Sequence, residues 1–368
     1  MYAAEKDNLT IDDTLVAHVE RTLAEYFDSR QSTIAVRSSA LGEALTALRD
    51  FVLGGGKRLR PTFAWWGWRV AGGEQDGPLA EAVLRAVSSL ELIQACALVH
   101  DDVMDDSALR RGAPTMHVAF ADSHRGRGWH GVPERFGVCA AILLGDIALA
   151  WADDMFHCSG VPVDRLTAAS EPWRGMRSEM LAGQYLDVLT QARGDLSAKA
   201  ALRVARWKTA AYTVERPLHV GAALGGADPD LVKCLRTFGA DIGVAFQLRD
   251  DLLGVFGDAA VTGKPAGDDL REGKRTLLVA EGLERAQRLG RQAEAALLRD
   301  SLGRADLSEE DVTRIRGTLV DLGAVSEVET RIDRLTESAM TALAAAHLTD
   351  PAASRLADLA VTATRRTH

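Results

Sequence analysis

Six aspartates in two clusters are the residues of this 368-residue chain best placed to do chemistry: Asp101, Asp102, Asp105 and Asp106 in HDDVMDDS, and Asp250 and Asp251 in FQLRDDLLG. Each cluster ends an apolar run, LIQACALVH before the first and IGVAFQL before the second. The acids therefore close a buried stripe, whereas a lone acid pair would be read as a solvated helix face. On a helix rising about 1.5 Å per residue, Asp101 and Asp105 share a face roughly 6 Å apart, with Asp102 about 100° round the axis. Carboxylates so confined repel one another unless a cation holds them. Magnesium suits this donor set: it takes octahedral oxygen coordination, keeps waters, and binds one or two carboxylates together with phosphate oxygens of a substrate. Two such helices facing each other would clamp a diphosphate.

Basic side chains stand beside chain breakers and beside the acids: Lys57 and Arg60 in GGGKRLRP, Arg110 and Arg111 in LRRGAPT, Lys208 in RWKTAAYT, Lys264 in TGKPAGDD and Lys274 in REGKRT. Arginine forks bind phosphate bidentately and lysine binds it as a point charge, so the set can neutralise more than one diphosphate. The chain as a whole is acidic, with 43 Lys plus Arg against 52 Asp plus Glu and a formal charge of −9. That balance excludes nucleic acid as an expected partner, and any anionic ligand must meet these local cations.

The elements that carry these residues are helices. Apolar positions recur at helical spacing, as in Leu15, Val16, Val19, Leu23 and Phe27, and again in Ile315, Leu319, Leu322, Val325, Val328, Ile332 and Leu335. No period-two strand series stands out. The pattern predicts one all-α domain over 11–368, of about ten to thirteen helices, with residues 1–10 frayed. Breakers cluster at 54–56, 72–77, 122–137, 159–163, 224–229 and 257–269. The stretch 122–137 reads as a surface insertion, and 257–269, with its glycines and Lys264, as a loop that covers phosphate. Trp65, Trp66 and Trp68 read as core or subunit-interface packing. The first residues, MYAAEKDNLTIDD, have no basic stretch and no apolar h-region, and VCAAILLGDIALAW is shorter than a membrane span. Cys96, Cys139, Cys158 and Cys234 show no zinc or CxxC spacing and read as free thiols. A soluble, cytoplasmic protein without a transmembrane segment is the expectation.

At GGKRLRP (55–61), HDDVMDDSALRRGAPT (100–115), KT (208–209), FQLRDD (246–251) and GK (263–264), the chain resembles the trans-isoprenyl diphosphate synthases, or polyprenyl synthetases. The resemblance runs from about residue 40 to about residue 280, and its motifs are long and specific. It implies the isoprenoid synthase fold, a homodimer of all-α subunits, each with a central cavity bearing an aspartate-rich motif on either wall. It implies that Asp101, Asp102 and Asp105, with Asp250 and Asp251 opposite, hold about three magnesium ions against an allylic prenyl diphosphate. Arg110, Lys208 and Lys264 would contact the same diphosphate, while Lys57, Arg60 and Arg111 would bind isopentenyl diphosphate. Lys274 would also approach phosphate.

The expected reaction is electrostatic. Metals and cations stabilise the charge growing on the departing diphosphate, and the allylic carbocation left behind faces oxygens near Lys208, Thr209 and Gln247. The isopentenyl double bond attacks, and the diphosphate takes the proton. Chain length is expected to follow from Cys96 and Ala97, about one turn before Asp101, where short-chain relatives often carry an aromatic plug. Small residues there leave the tunnel open, with Ile93 and Leu92 as the next layer and Ile147 or Trp151 at the floor. That predicts a twenty-carbon product, geranylgeranyl diphosphate, with a longer polyprenyl chain as the alternative. A class I terpene cyclase is disfavoured by the second cation set, and a silent partner subunit by the intact acids. Two departures stand out. Gln94 lies where many relatives have a histidine implicated in isopentenyl binding. Gly254 takes the place of the second motif's usual third aspartate, and Asp258, about 12 Å from Asp250 on a continued helix, cannot replace it.

Overall fold

The computed structural model describes residues 10–35, 39–257 and 267–365; Lys264, Asp258 and most of the predicted 257–269 loop lie outside them, as do residues 1–9 of the expected frayed end. Among the described residues there are seventeen α-helical segments, one π-helical stretch, and a two-residue antiparallel pair joining Leu109–Arg110 to Ala113–Pro114. Two segments of the excess over ten to thirteen come from breaks within two long runs. Ser89 separates α4 (Pro78–Ser88) from α5 (Leu90–Met104), and the run from Ala198 to Gly225 changes pitch twice. Within that run α9 (Ala198–Val204) gives way to a π-helical stretch, Ala205–Glu215, and then to α10 (Arg216–Gly225).

The first six remaining segments are α1 (Leu15–Ala35), α2 (Ser39–Leu53), α3 (Leu59–Val70), α6 (Met116–Gly126), α7 (Pro133–His157) and α8 (Val163–Arg193). They share with α5 one apolar core that includes Phe27, Phe63, Trp65, Trp66, Trp68 and Trp173. The three tryptophans of FAWWGW are therefore core residues. A second apolar cluster is built by the helices after residue 267. The long α11 (Pro229–Phe256) links the two: Leu235, Phe238 and Ile242 belong to the first, Ala245, Leu248, Leu252 and Val255 to the second. Asp228 caps α11 through hydrogen bonds from the amides of Asp230 and Leu231, both 2.9 Å.

The predicted insertion at 122–137 shrinks to a connection over 127–132, because Pro133 starts α7 and α6 continues to Gly126. Its His124, Trp129 and Phe136 rings pack edge to face and tilted, with centroids 5.3–5.9 Å apart. Two helices, Pro78–Met104 and Pro133–His157, are long and apolar enough to cross a membrane by composition alone. The first is mostly buried in the core, whereas less than half of the second is.

The π-helical stretch is gripped between α8 and α11 where glycines remove side chains. A Cβ on Gly183 would lie 2.2 Å from the Lys208 amide nitrogen, and one on Gly243 would lie 2.7 Å from the Ala210 backbone. Helices approach this closely only without a side chain between them. Gly183→Ala is expected to force α8 off the Lys208 backbone and to lower the unfolding free energy by about 2 kcal/mol, the cost of overpacking a tight contact. Denaturant unfolding at equilibrium measures it; an unchanged midpoint would show that the contact is not tight.

Candidate active site

A cavity of about 600 Å³ opens between α5, α8, the π-helical stretch and α11. Asp101 lines it from α5, and Asp250 and Asp251 line it from α11. The two acidic clusters therefore share one hollow. Arg110, Lys208, Thr209, Gln247 and Lys274 line it as well, and so do Lys57, Arg60, Gln94 and Arg111, with Gly56.

On the α5 wall, Asp101 accepts from Lys208 Nζ at 2.7 Å and from Gln184 Nε2 at 2.9 Å. Lys208 also donates to Asp187 at 2.6 Å, so one ammonium bridges α5 and α8. Burial alone would raise the Asp101 carboxyl, but the charges of Lys208, Lys274 and Arg110 bring it down to about 2. Asp105, which like Asp102 is not among the cavity-lining residues, is the converse case in charge. Burial, and then the neighbouring Asp101 charge, push it up to about 7, although Lys274 Nζ is 4.0 Å away. Asp102 departs from its expected place. It is 1% exposed and is not among the cavity-lining residues; Arg110 Nε donates to its two oxygens at 2.7 and 2.9 Å. The second aspartate of the motif thus anchors Arg110, whose guanidinium comes within 3.7 Å of Asp101.

On the opposite wall, Gln247 Nε2 donates to Asp251 at 2.6 Å. Burial, followed by the charge of Asp269, raises the Asp251 carboxyl to about 8. Lys274 faces Glu272 at 2.7 Å and Asp269 at 3.1 Å, and those charges hold its ammonium protonated against burial. Asp187, Gln184, Asp269 and Glu272 were not singled out in the sequence. The only hint of the first two was their three-residue spacing in GQYLD, which puts both on one face of α8.

The cationic set Lys57, Arg60 and Arg111 is built differently. Arg111 donates to the Gly55 carbonyl at 2.6 Å, and burial together with the nearby Arg58 and Arg110 charges lowers its pKa. Arg60 donates to Thr213 Oγ1 at 2.8 Å and lies over the Tyr212 ring at 4.2 Å. Arg58, also missed, is 3% exposed, adopts a left-handed conformation (φ 49°) at the start of α3, and pairs with Glu91 at 2.8 Å. It holds the loop that presents Lys57 and Arg60. Gln94 accepts from the Tyr212 hydroxyl.

Cys96 and Ala97 line the cavity, but Ile93, Leu92, Ile147 and Trp151 do not; they pack in the core or against it. On α5 the apolar lining goes no deeper than the Cys96 layer, and apolar side chains from other elements, among them Met180, Leu181, Val204, Phe246 and Leu253, complete it. The four cysteines are free, and burial raises the Cys96 thiol to about 12.

Among the described residues no three His, Cys, Asp or Glu side chains converge tightly enough to hold a metal ion unaided. The donors are hard carboxylate oxygens divided between two walls of one cavity. That division fits a cation completed by substrate phosphate oxygens, as magnesium is.

The sequence profile of the Polyprenyl synthetase family matches residues 43–319. A geranylfarnesyl diphosphate synthase of Aeropyrum pernix is 34% identical over 311 residues, covering 83% of this chain and 88% of that protein. A (2E,6E)-farnesyl diphosphate synthase of Mycobacterium tuberculosis is 33% identical over 270 residues, 73% of this chain and 67% of that protein. The crystal structure of geranylgeranyl pyrophosphate synthase from Corynebacterium glutamicum, complexed with isoprenyl diphosphate and magnesium, superposes with a TM-score of 0.91. It is 46% identical and covers 95% of this chain and 97% of that one.

The raised Asp251 carboxyl makes a pH prediction. Its folded value of about 8 exceeds the ordinary 3.8, so between them the folded chain holds a proton that the unfolded chain has lost. Stability from this group is intact at acid pH and is lost as pH rises through the window. Without divalent cations, Asp251→Asn, which still accepts from Gln247, is expected to melt with wild type near the acid end and above it at pH 8.5. Parallel melting-temperature profiles for the two proteins would contradict this.

Proposed function

The chain belongs to the polyprenyl synthetase family and is a trans-prenyltransferase, and from that premise we propose that it condenses isopentenyl diphosphate with an allylic prenyl diphosphate to make geranylgeranyl diphosphate. The observation that carries the reading is one cavity lined by two chemically distinct sets of groups: carboxylates from α5 and α11, and the basic side chains Lys57, Arg60 and Arg111 with Gly56.

Asp101 and Asp105 on one wall, with Asp250 and Asp251 on the other, would hold magnesium, about three ions by family likeness. When bound, magnesium supplies Lewis-acid stabilisation of the leaving diphosphate's charge. Arg110, Lys208 and Lys274 neutralise the rest of that charge, and Asp102 acts by fixing Arg110. Lys57, Arg60 and Arg111 take the second diphosphate, where burial and then the neighbouring Arg58 and Arg110 charges lower the Arg111 pKa. A terpene cyclase needs no such second site. As the allylic C1–O bond breaks, oxygens of Thr209 and Gln247 face the cation and apolar walls exclude water. The isopentenyl C4 bonds to C1, and the proton lost from C2 passes to the departing diphosphate. Gln94, held by Tyr212, can donate a hydrogen bond to isopentenyl diphosphate but carries no charge.

The absence of a ring at 96 and 97, both of which line the cavity, supports a twenty-carbon product. A longer chain is the second reading, favoured by the geranylfarnesyl relative. The partner we propose is a second copy. Ile142 and Leu143 on α7 and Leu181, Tyr185 and Val188 on α8 are exposed apolar side chains, and Leu181 also lines the cavity. A dimer on this face would close the apolar end of the channel. Free thiols suit a reducing cytoplasm, and α11, shared by both apolar clusters, supports one domain.

Two measurements test these assignments. With labelled isopentenyl diphosphate, wild type is expected to give mainly the C20 diphosphate, Ala97→Phe mainly C15, and Asp101→Asn about 10²-fold slower turnover or worse; a mainly C15 wild-type product would refute the open channel. Sedimentation equilibrium should give twice the chain mass for wild type and a monomer for Leu143→Arg; an unaltered dimer would place the interface elsewhere.

A further inference from the structure

Gly254 follows Asp250 by one helical turn on α11, where a side chain would point into the acidic wall. The space beside it is filled. A Cβ on Gly254 would lie 1.8 Å from Asp269 Oδ2 and 2.5 Å from its Cγ. The Asp269 carboxylate, carried by the short helix Asp268–Arg271, therefore begins where a residue-254 side chain would begin. Asp269 lines the same cavity as Asp250 and Asp251. Its other oxygen, Oδ1, accepts from Lys274 Nζ at 3.1 Å, and its carbonyl accepts from the Lys274 amide at 2.9 Å. The carboxylate is thus fixed at both ends of the residue, with Oδ2 turned to the gap over Gly254. Among all the glycines that meet a neighbour's atoms, this one and Gly221 show the two closest side-chain or backbone oxygens after Cβ placement, 1.8 Å in each case; only at Gly254 is that oxygen a carboxylate.

We propose that Asp269 is the third carboxylate of the second acidic wall, delivered across the chain, and that Gly254 is required because it admits that carboxylate. The inference rests on the magnesium-diphosphate reading above. It reverses the plain expectation from sequence, under which Gly254 is a lost ligand and aspartate there would repair the site. In this structure Gly254→Asp instead sets two carboxylates on one position and expels Asp269.

The test is stabilisation against heat by magnesium plus inorganic pyrophosphate, titrated in magnesium. Asp269→Asn, which keeps the shape, and Gly254→Asp are each expected to raise the magnesium needed for half-maximal stabilisation by about tenfold or more, the usual scale for losing a supporting ligand group. The double variant Gly254→Asp/Asp269→Ala, which moves the carboxylate back to α11, is expected to recover most of that loss. Wild-type behaviour of Asp269→Asn, or tighter magnesium dependence in Gly254→Asp, would overturn the proposal while leaving the general reading intact. No magnesium-dependent stabilisation of wild type would overturn both. Should Gly254→Asp fail to fold, Asp269→Asn decides alone.

Discussion

Everything in the site depends on keeping carboxylates close together away from bulk water. In a medium of low effective dielectric, like charges at short range cost several kcal/mol, and the response is protonation or a bound cation. Both responses are visible. Asp105 and Asp251 are raised to about 7 and 8, whereas Asp101, which has Lys208, Gln184 and Arg110 around it, is lowered to about 2. The chain's own ammonium groups bridge elements: Lys208 joins Asp101 to Asp187, and Lys274, paired with Asp269 and Glu272, comes within 4.0 Å of Asp105. Such a cavity favours further positive charge, and a diphosphate brings in cations that neither wall holds alone.

The fold serves this charge arrangement through close backbone contact. Lys208 reaches Asp101 because Gly183 lets α8 touch the π-helical stretch, and Gly243 lets α11 touch it from the other side. π-Helical turns change which residues share a face, and they concentrate at functional sites. Here the stretch holds Lys208 and Thr209 at the acidic end and Tyr212 and Thr213 beside Arg60. Outside the cavity lining, Arg249, next to Asp250, forms a two-pronged pair with Glu329 at 2.6 and 2.5 Å and donates to the Thr364 carbonyl. The C-terminal helices therefore brace the rotation of α11 that aims Asp250 inward.

How much of this was legible in the sequence follows from the range of each interaction. Asp101 and Asp105 are four residues apart on one helix, and the cations sit in contiguous motifs, so their convergence could be read without coordinates. Asp102 could not be assigned that way. Its neighbours on the helix face do not reveal that Arg110, after a tight two-strand turn, folds back onto it. Asp187, Arg58 and Asp269 depend on helix packing across long sequence separations, and their types alone say only that they are charged. The Gly254 departure was visible, but its consequence was not, because Asp269 approaches from a different segment. At 122–137 the glycines and prolines suggested a long loop, yet Pro133 serves to start a helix. The tunnel was read too deep, since Ile93 and Leu92 face the core and not the channel.

The central claim is that one cavity holds two diphosphates by different means, one through a cation between carboxylates and one through arginines directly. Calorimetric titration with each substrate separately tests it, using an allylic thiolodiphosphate that cannot ionise readily. The account predicts that the allylic analogue binds only with magnesium and that isopentenyl diphosphate binds with or without it. Equal affinity for the allylic analogue in a chelator would contradict the account.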